Sequence, residues 1–175
     1  MIVTPGRPTT AEYAPFYAGY VEKVEGDDVL GALRAQRDDS LSLFRGLTEQ
    51  QGLRRYAAGK WSVKEVLGHV ADGERVFTYR ALSFARGESQ EQPGFDQDAY
   101  VVAAGFDHRS LTSIVEEYES VRQATLTLFG SFGEDVWRRV GVANGVPFSV
   151  RGIAFIAAGH EAHHLAVLRE RYLGA

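Results

Sequence analysis

The chain predicts an all-α fold, a four-helix bundle, and three observations carry that expectation. Four segments of about twenty residues repeat their apolar side chains at three- and four-residue steps. The segments are separated by helix start and stop signals. β-prone residues are confined to one short stretch ahead of the last helix, so helix-on-helix packing is the natural way to bury the apolar faces. At 175 residues the chain is the length of one domain, and a single unit over 1–175 is expected.

Up to about Gly26 the sequence is rich in Tyr, Pro and Gly, with Tyr13, Phe16, Tyr17 and Tyr20 weakly spaced, and reads as an irregular arm across the body. From Asp27 to Gly46, Leu30, Leu33, Leu41 and Phe44 follow helical spacing around a charged segment, Arg34 to Asp39; this is the first helix. Thr48 to Tyr56 can add a helical turn. Ser62, followed three residues later by Glu65, is a capping box that opens the second helix. That helix reaches about Arg86 and carries Val63, Val66, Val70, Phe77, Ala81 and Phe84 on one broad side. The connection GESQEQPGFDQDAYVVAAGFDHRS is too long for a tight turn, and its DQDAYVVAA portion suits a short helix. The third helix spans about Ser110 to Phe129 through Leu111, Ile114, Val115, Tyr118, Val121 and Leu128. Asn144-Gly145 between short β-prone runs fits a small hairpin, and Ser149 is a candidate N-cap for the fourth helix, which carries Ile153, Ile156, Ala157, Val167 and Leu168 and stops at Gly174.

Composition narrows the function. The net charge of −4 and a pI near 5.7 argue against unaided binding to a phosphate backbone, which depends on clustered Lys and Arg. The opening residues lack the basic start and apolar run of a signal peptide, and no stretch approaches the roughly 18 apolar residues of a membrane span, so the cytoplasm is the expected compartment. With no cysteine, the chain has neither thiolate ligands nor a thiol nucleophile of its own.

The chemistry lies in the histidines. His160 and His164 are four residues apart, so at ~100° per residue they sit within ~40° of one another on the fourth helix. Ile153, Ala157, Val167 and Arg171 share nearly that bearing, which turns both imidazoles toward the bundle interior, while His163 falls off it and flanks the pair. His69 lies beside the apolar stripe of the second helix, with Glu65, Gly73, Val76 and Arg80 on neighbouring bearings; glycine beside a ligand leaves room. Three imidazoles with open positions form a catalytic rather than a closed structural pattern, and zinc, nickel or ferrous iron would each suit them. A lone helical histidine is usually a packed or surface residue, but an i, i+4 pair on an apolar stripe is costly without partners. A competing motif is also present: His160, Glu161 and His164 match HExxH, in which the glutamate is general base. Only eleven residues follow His164 and none is His, so Glu170 would have to complete that site from the same helix.

With these residues in place, the sequence resembles the DinB/YfiT-like family of metal-binding four-helix bundles. GKWSVKEVLGHVADGERVFTYRALSFARGE, then PGFDQDAY, then FSVRGIAFIAAGHEAHHLAVLRERY follow the family pattern over nearly the whole chain. The resemblance implies that His69, His160 and His164 bind a divalent metal. Members of the family include bacillithiol and mycothiol S-transferases, a thiol-dependent maleylpyruvate isomerase and proteins described as metal-dependent hydrolases. It therefore implies an enzyme that activates a low-molecular-weight thiol toward an electrophile, or a hydrolase. It also implies a homodimer. A metal-binding stress protein without turnover is the alternative of a different class. Arg80 is the candidate for holding a carboxylate of thiol or substrate, and Glu65 or Asp72 for orienting an imidazole, although each could equally serve in a surface ion pair. Tyr13, Tyr17 and Tyr20 are candidates to roof the pocket or to anchor the arm by packing.

Overall fold

The structure, a computed structural model, describes residues 5–174; the first four residues of the expected arm and Ala175 lie outside the described residues. Four long helices form the body: α1 (Val29–Arg45), α2 (Val63–Ala85), α3 (Leu111–Gly130) and α4 (Val150–Val167). Each begins where the sequence supplies a cap. Asp28 accepts from the Gly31 N–H, Ser110 from Ser113 and Ser149 from Gly152, while Ser62 and Glu65 close the full reciprocal capping box at α2. The charged run in the middle of α1 does not interrupt it. Gln36 donates to the Ala158 carbonyl at 2.9 Å, Asp39 pairs with Arg169 at 2.6 Å, and Ser40 points into the core.

Helix order, not helix count, positions the site. α1 packs on α3 and α4, and α2 packs on the same two, so the consecutive helices α1 and α2 sit diagonally across the bundle. The chain crosses between them through residues 46–62, which include a one-turn helix, Glu49–Gly52, closed by its own Thr48–Gln51 capping box. As a result α2 and α4, far apart in sequence, are neighbours. They run antiparallel: the first half of α2 (Val63 to Ala71) shares an apolar cluster with Leu165 and Leu168, and its second half (Phe77 to Ala85) shares another with Ile153 to Ala158.

The connections follow the expected pattern. The long segment after α2 contains the short helix Gln97–Ala104, capped by Asp96 and ended by Gly105 in the left-handed region (φ 58°). Strands β1 (Val140–Ala143) and β2 (Val146–Ser149) pair antiparallel, with Asn144 and Gly145 both at positive φ in the two-residue turn that suits a hairpin's twist. The arm is more ordered than its weak periodicity suggested. It makes short 3-10 turns at Thr10–Glu12 and Pro15–Tyr17 and a helical turn at Ala18–Val21, held to α4 by Glu12 against Arg151 at 2.5 and 2.6 Å. Beyond Val167, α4 widens into a π-helical turn, Leu168–Leu173, before Gly174.

Candidate metal centre

His69 projects from α2, and His160 and His164 from the facing side of α4; their rings meet between the two apolar clusters. The Nε2 atoms of His69 and His160 are 2.9 Å apart, and those of His160 and His164 3.2 Å. One ligand atom from each of the three lies within 4.8 Å of the other two. A cation roughly 2.0–2.1 Å from each nitrogen requires neighbouring nitrogens roughly 2.9–3.4 Å apart, which the two closer pairs meet. Protons are poor partners for this arrangement, because facing imidazole nitrogens share one hydrogen per pair, whereas a cation takes a lone pair from each ring.

Burial tunes these rings toward the ligating form. His69 is 3% exposed and His160 5%, and His164 is half-buried at the edge. Burial lowers the pKa of His69 to about 4. It lowers that of His164 to about 3, with the neighbouring His69 and His163 adding to the effect, and pushes His160 well below the ordinary imidazole value. All three are therefore neutral near pH 7, which is what metal ligation requires.

The packing around the rings is specific. A side-chain carbon at Gly73 would lie 3.1 Å from Cε1 of His160, so glycine is the residue that lets α2 close onto that ring. Trp61 lies 4.7 Å from the His69 ring, Phe77 5.5 Å from His160, and Tyr20 of the arm 5.5 Å from both His160 and His163. Tyr20 thus covers the site. Tyr17 packs instead on Phe77 and Phe148, and Tyr13 is buried in the core.

Outside the trio, the predicted polar residues go elsewhere. Glu65 accepts from the Ser62 N–H at 2.7 Å and pairs with Arg55, serving the helix cap. Asp72 pairs with Arg75 at 3.1 Å. Arg80 is buried, donates to the Pro93 carbonyl at 2.7 Å, and borders a cavity that none of the three histidines lines. Glu161 is turned away from the histidines. Its carboxylate accepts from Ser40 Oγ at 2.5 Å and Tyr118 OH at 2.6 Å and pairs with Arg122, so the HExxH reading lacks its base; Glu170 is exposed.

A pocket of about 390 Å³ opens on His164. Tyr56, Trp61 and Tyr172 give it an aromatic wall, Lys60 and Arg171 bring positive charge, and His163 and Asp98 also line it. Of these, the sequence placed only His163 and Arg171 near the pair. Trp61 was discoverable: it stands just before the N-cap Ser62, with Val66 at the staple position, and both line the pocket.

The sequence model of the DinB superfamily matches residues 32–168. No curated protein sequence matches the chain. Among solved structures, that of YfiT from Bacillus subtilis, described as "a probable metal-dependent hydrolase with an unusual four-helix bundle topology", is similar with a TM-score of 0.68 and 16% identity, over 95% of this chain and 93% of that one.

Proposed function

The chain belongs to the DinB superfamily, and from that premise we propose that His69, His160 and His164 together hold one divalent cation, zinc, nickel or ferrous iron, at the floor of a small-molecule hydrolase site. The observation that carries this reading is the meeting of three neutral imidazoles, from two helices, beside the pocket at His164. The YfiT description as a probable metal-dependent hydrolase agrees with it. When bound, the cation supplies Lewis-acid chemistry, lowering the pKa of a nucleophile that would be inert in free solution.

The chain's own residues do the rest. His69 and His160, packed under Trp61, Phe77 and Tyr20, are fixed and kept from bulk water, while the half-buried His164 faces the pocket. The aromatic wall receives an apolar body, and Lys60 and Arg171 draw an anionic group to the rim. With Glu161 held in the core, His163 and Asp98 are the proton acceptors that line this pocket. A second reading, transfer of a low-molecular-weight thiol, is favoured by one specific combination: the chain has no cysteine, and the cationic rim suits the carboxylates such thiols carry.

Elemental analysis of the purified protein should find about one divalent ion per chain. The loaded protein is then given a panel of activated esters and amides, and separately cellular thiols with a generic electrophile. Hydrolysis without thiol consumption supports the first reading. Thiol consumption without hydrolysis replaces it with the second, and a protein that binds no metal overturns both.

A further inference from the structure

A cavity of about 670 Å³ lies away from the histidines, between the arm, the connection after α2 and the hairpin. Its walls are largely aromatic, from Phe16, Tyr17, Phe95 and Phe148, and its one buried cation is Arg80. Two aromatic rings separate it from the metal centre: Phe77 packs on His160 at 5.5 Å, and Tyr17 on Phe77 at 6.4 Å.

Arg80 is unusual among the buried charges. It is 6% exposed, yet among the described residues its guanidinium makes a single hydrogen bond, to the Pro93 carbonyl, and no carboxylate lies within ion-pair distance. The other buried arginine, Arg122, pairs with two carboxylates and a backbone carbonyl. The four remaining N–H groups of Arg80 have no protein acceptor among the described residues, and its unpaired nitrogens are not sealed from solvent, so they are free to donate to a ligand that enters the cavity. Asp96, on the same cavity wall, does not accept from them; its carboxylate accepts from the Asp98 and Ala99 N–H groups at 3.0 and 3.1 Å as a helix cap.

We propose that this cavity is a second ligand site, independent of the metal, in which Arg80 grips the carboxylate of a small molecule whose apolar body lies against Tyr17, Phe95 and Phe148. A planar guanidinium matches a carboxylate with two parallel hydrogen bonds. One cation, with the helix-capping Asp96 carboxylate on the same wall, suits a monoanion at most; a phosphate dianion would call for more positive charge than the cavity offers. The Phe95 ring, 6.0 Å from the guanidinium carbon, holds Arg80 in place from one side. The volume falls within the range of small-molecule pockets.

Hydrocinnamate, a carboxylate on a phenyl body, tests this by calorimetry and saturation-transfer NMR on the metal-loaded protein, with the uncharged hydrocinnamamide as control. The acid should bind saturably and the amide should not. Arg80→Gln should weaken the acid at least roughly tenfold, and Arg80→Lys, which keeps charge but not the fork, should do so less. His164→Ala should leave binding as in the wild type. Equal binding of acid and amide, no saturable binding of the acid, unchanged affinity in Arg80→Gln, or loss of binding in His164→Ala each overturns the proposal, the last by placing the carboxylate on the metal. The acid and amide comparison uses the wild-type protein, so it stands even if Arg80→Gln does not fold.

Discussion

At the scale of the residue, His164 offers the cleanest test of the trio. It is half-buried at the pocket edge, so truncation removes a ligand without leaving a buried charge or a large void. His164→Ala should lose the ion at concentrations where the wild type is saturated, with a melting temperature close to that of the metal-free wild type. Calorimetric metal titration and thermal denaturation by circular dichroism measure both. The same rings set a pH dependence whose sign follows from linkage. In the unfolded chain His69 takes its proton near 6.5, and in the folded metal-free protein not until about 4. Between those values the unfolded state binds more protons, so stability is intact above about pH 6.5 and falls as pH drops toward 4, by roughly 1.4 kcal/mol per pH unit for such a ring. Bound metal steepens the fall, because protons and cation compete for the same lone pairs. Urea midpoints of metal-free and loaded protein at about pH 7.5 and about pH 5 should differ in that direction; a midpoint that rises on acidification contradicts it.

At the scale of the element, the four helices and their caps were legible because local chemistry writes them: Ser62 with Glu65, Ser149, Asn144-Gly145 and Gly174 all act where the sequence put them. The pairing of His160 and His164 was legible for a similar reason, since their i, i+4 spacing fixes a shared face in any helix, whereas His69 joined them only through its place beside the apolar stripe of α2 and the family resemblance. The order of helices around the bundle was not, because periodicity reports which face is apolar and says nothing of which neighbour covers it. Glu65 and Glu161 illustrate the loss. Both looked available to the site; Glu65 is engaged close by, by the Ser62 N–H and Arg55, and Glu161 by partners distant in sequence, Ser40, Tyr118 and Arg122. The arm was underestimated because its docking rests on backbone approach: a side-chain carbon at Gly159 would lie 1.9 Å from the Tyr20 carbonyl oxygen. Gly159→Ala must therefore push the arm off α4, and with it the Tyr20 ring that covers His160 and His163. The expected cost is about 1–3 kcal/mol of stability, as for overpacked cores. Chelator should also strip metal from Gly159→Ala faster than from the wild type, a stopped-flow comparison that a purely global destabilisation, matched by a variant elsewhere in the core, would not reproduce.

At the scale of the whole molecule, the apolar interior is divided by a polar layer that touches all four helices. Arg122 of α3 donates to Glu74 of α2 at 2.6 and 2.9 Å and to the Leu33 carbonyl of α1 at 3.0 Å, and pairs with Glu161 of α4; Ser40 and Tyr118 complete the bonds to Glu161. Burial alone would lower the pKa of the guanidinium, but the two carboxylates outweigh it and push that pKa up. The layer is a geometric code for helix order, since these partners meet in one arrangement of the bundle and a reshuffled one would strand a charge in apolar surroundings. Arg122→Ala leaves two carboxylates buried side by side without their cation and should cost about 3–5 kcal/mol, read from urea unfolding. Replacing Arg122, Glu74 and Glu161 together by apolar residues of similar volume should recover most of that loss, because no charge is then left unpaired. Glu161→Gln separates this architectural role from the protease-like one: a glutamine can still accept from Ser40 and Tyr118, and Arg122 keeps Glu74 although the new amide N–H groups face it, so the variant should lose stability but still fold, bind metal and keep its turnover. Loss of turnover in a folded, metal-loaded Glu161→Gln protein would instead make the carboxylate part of the chemistry and return HExxH to consideration.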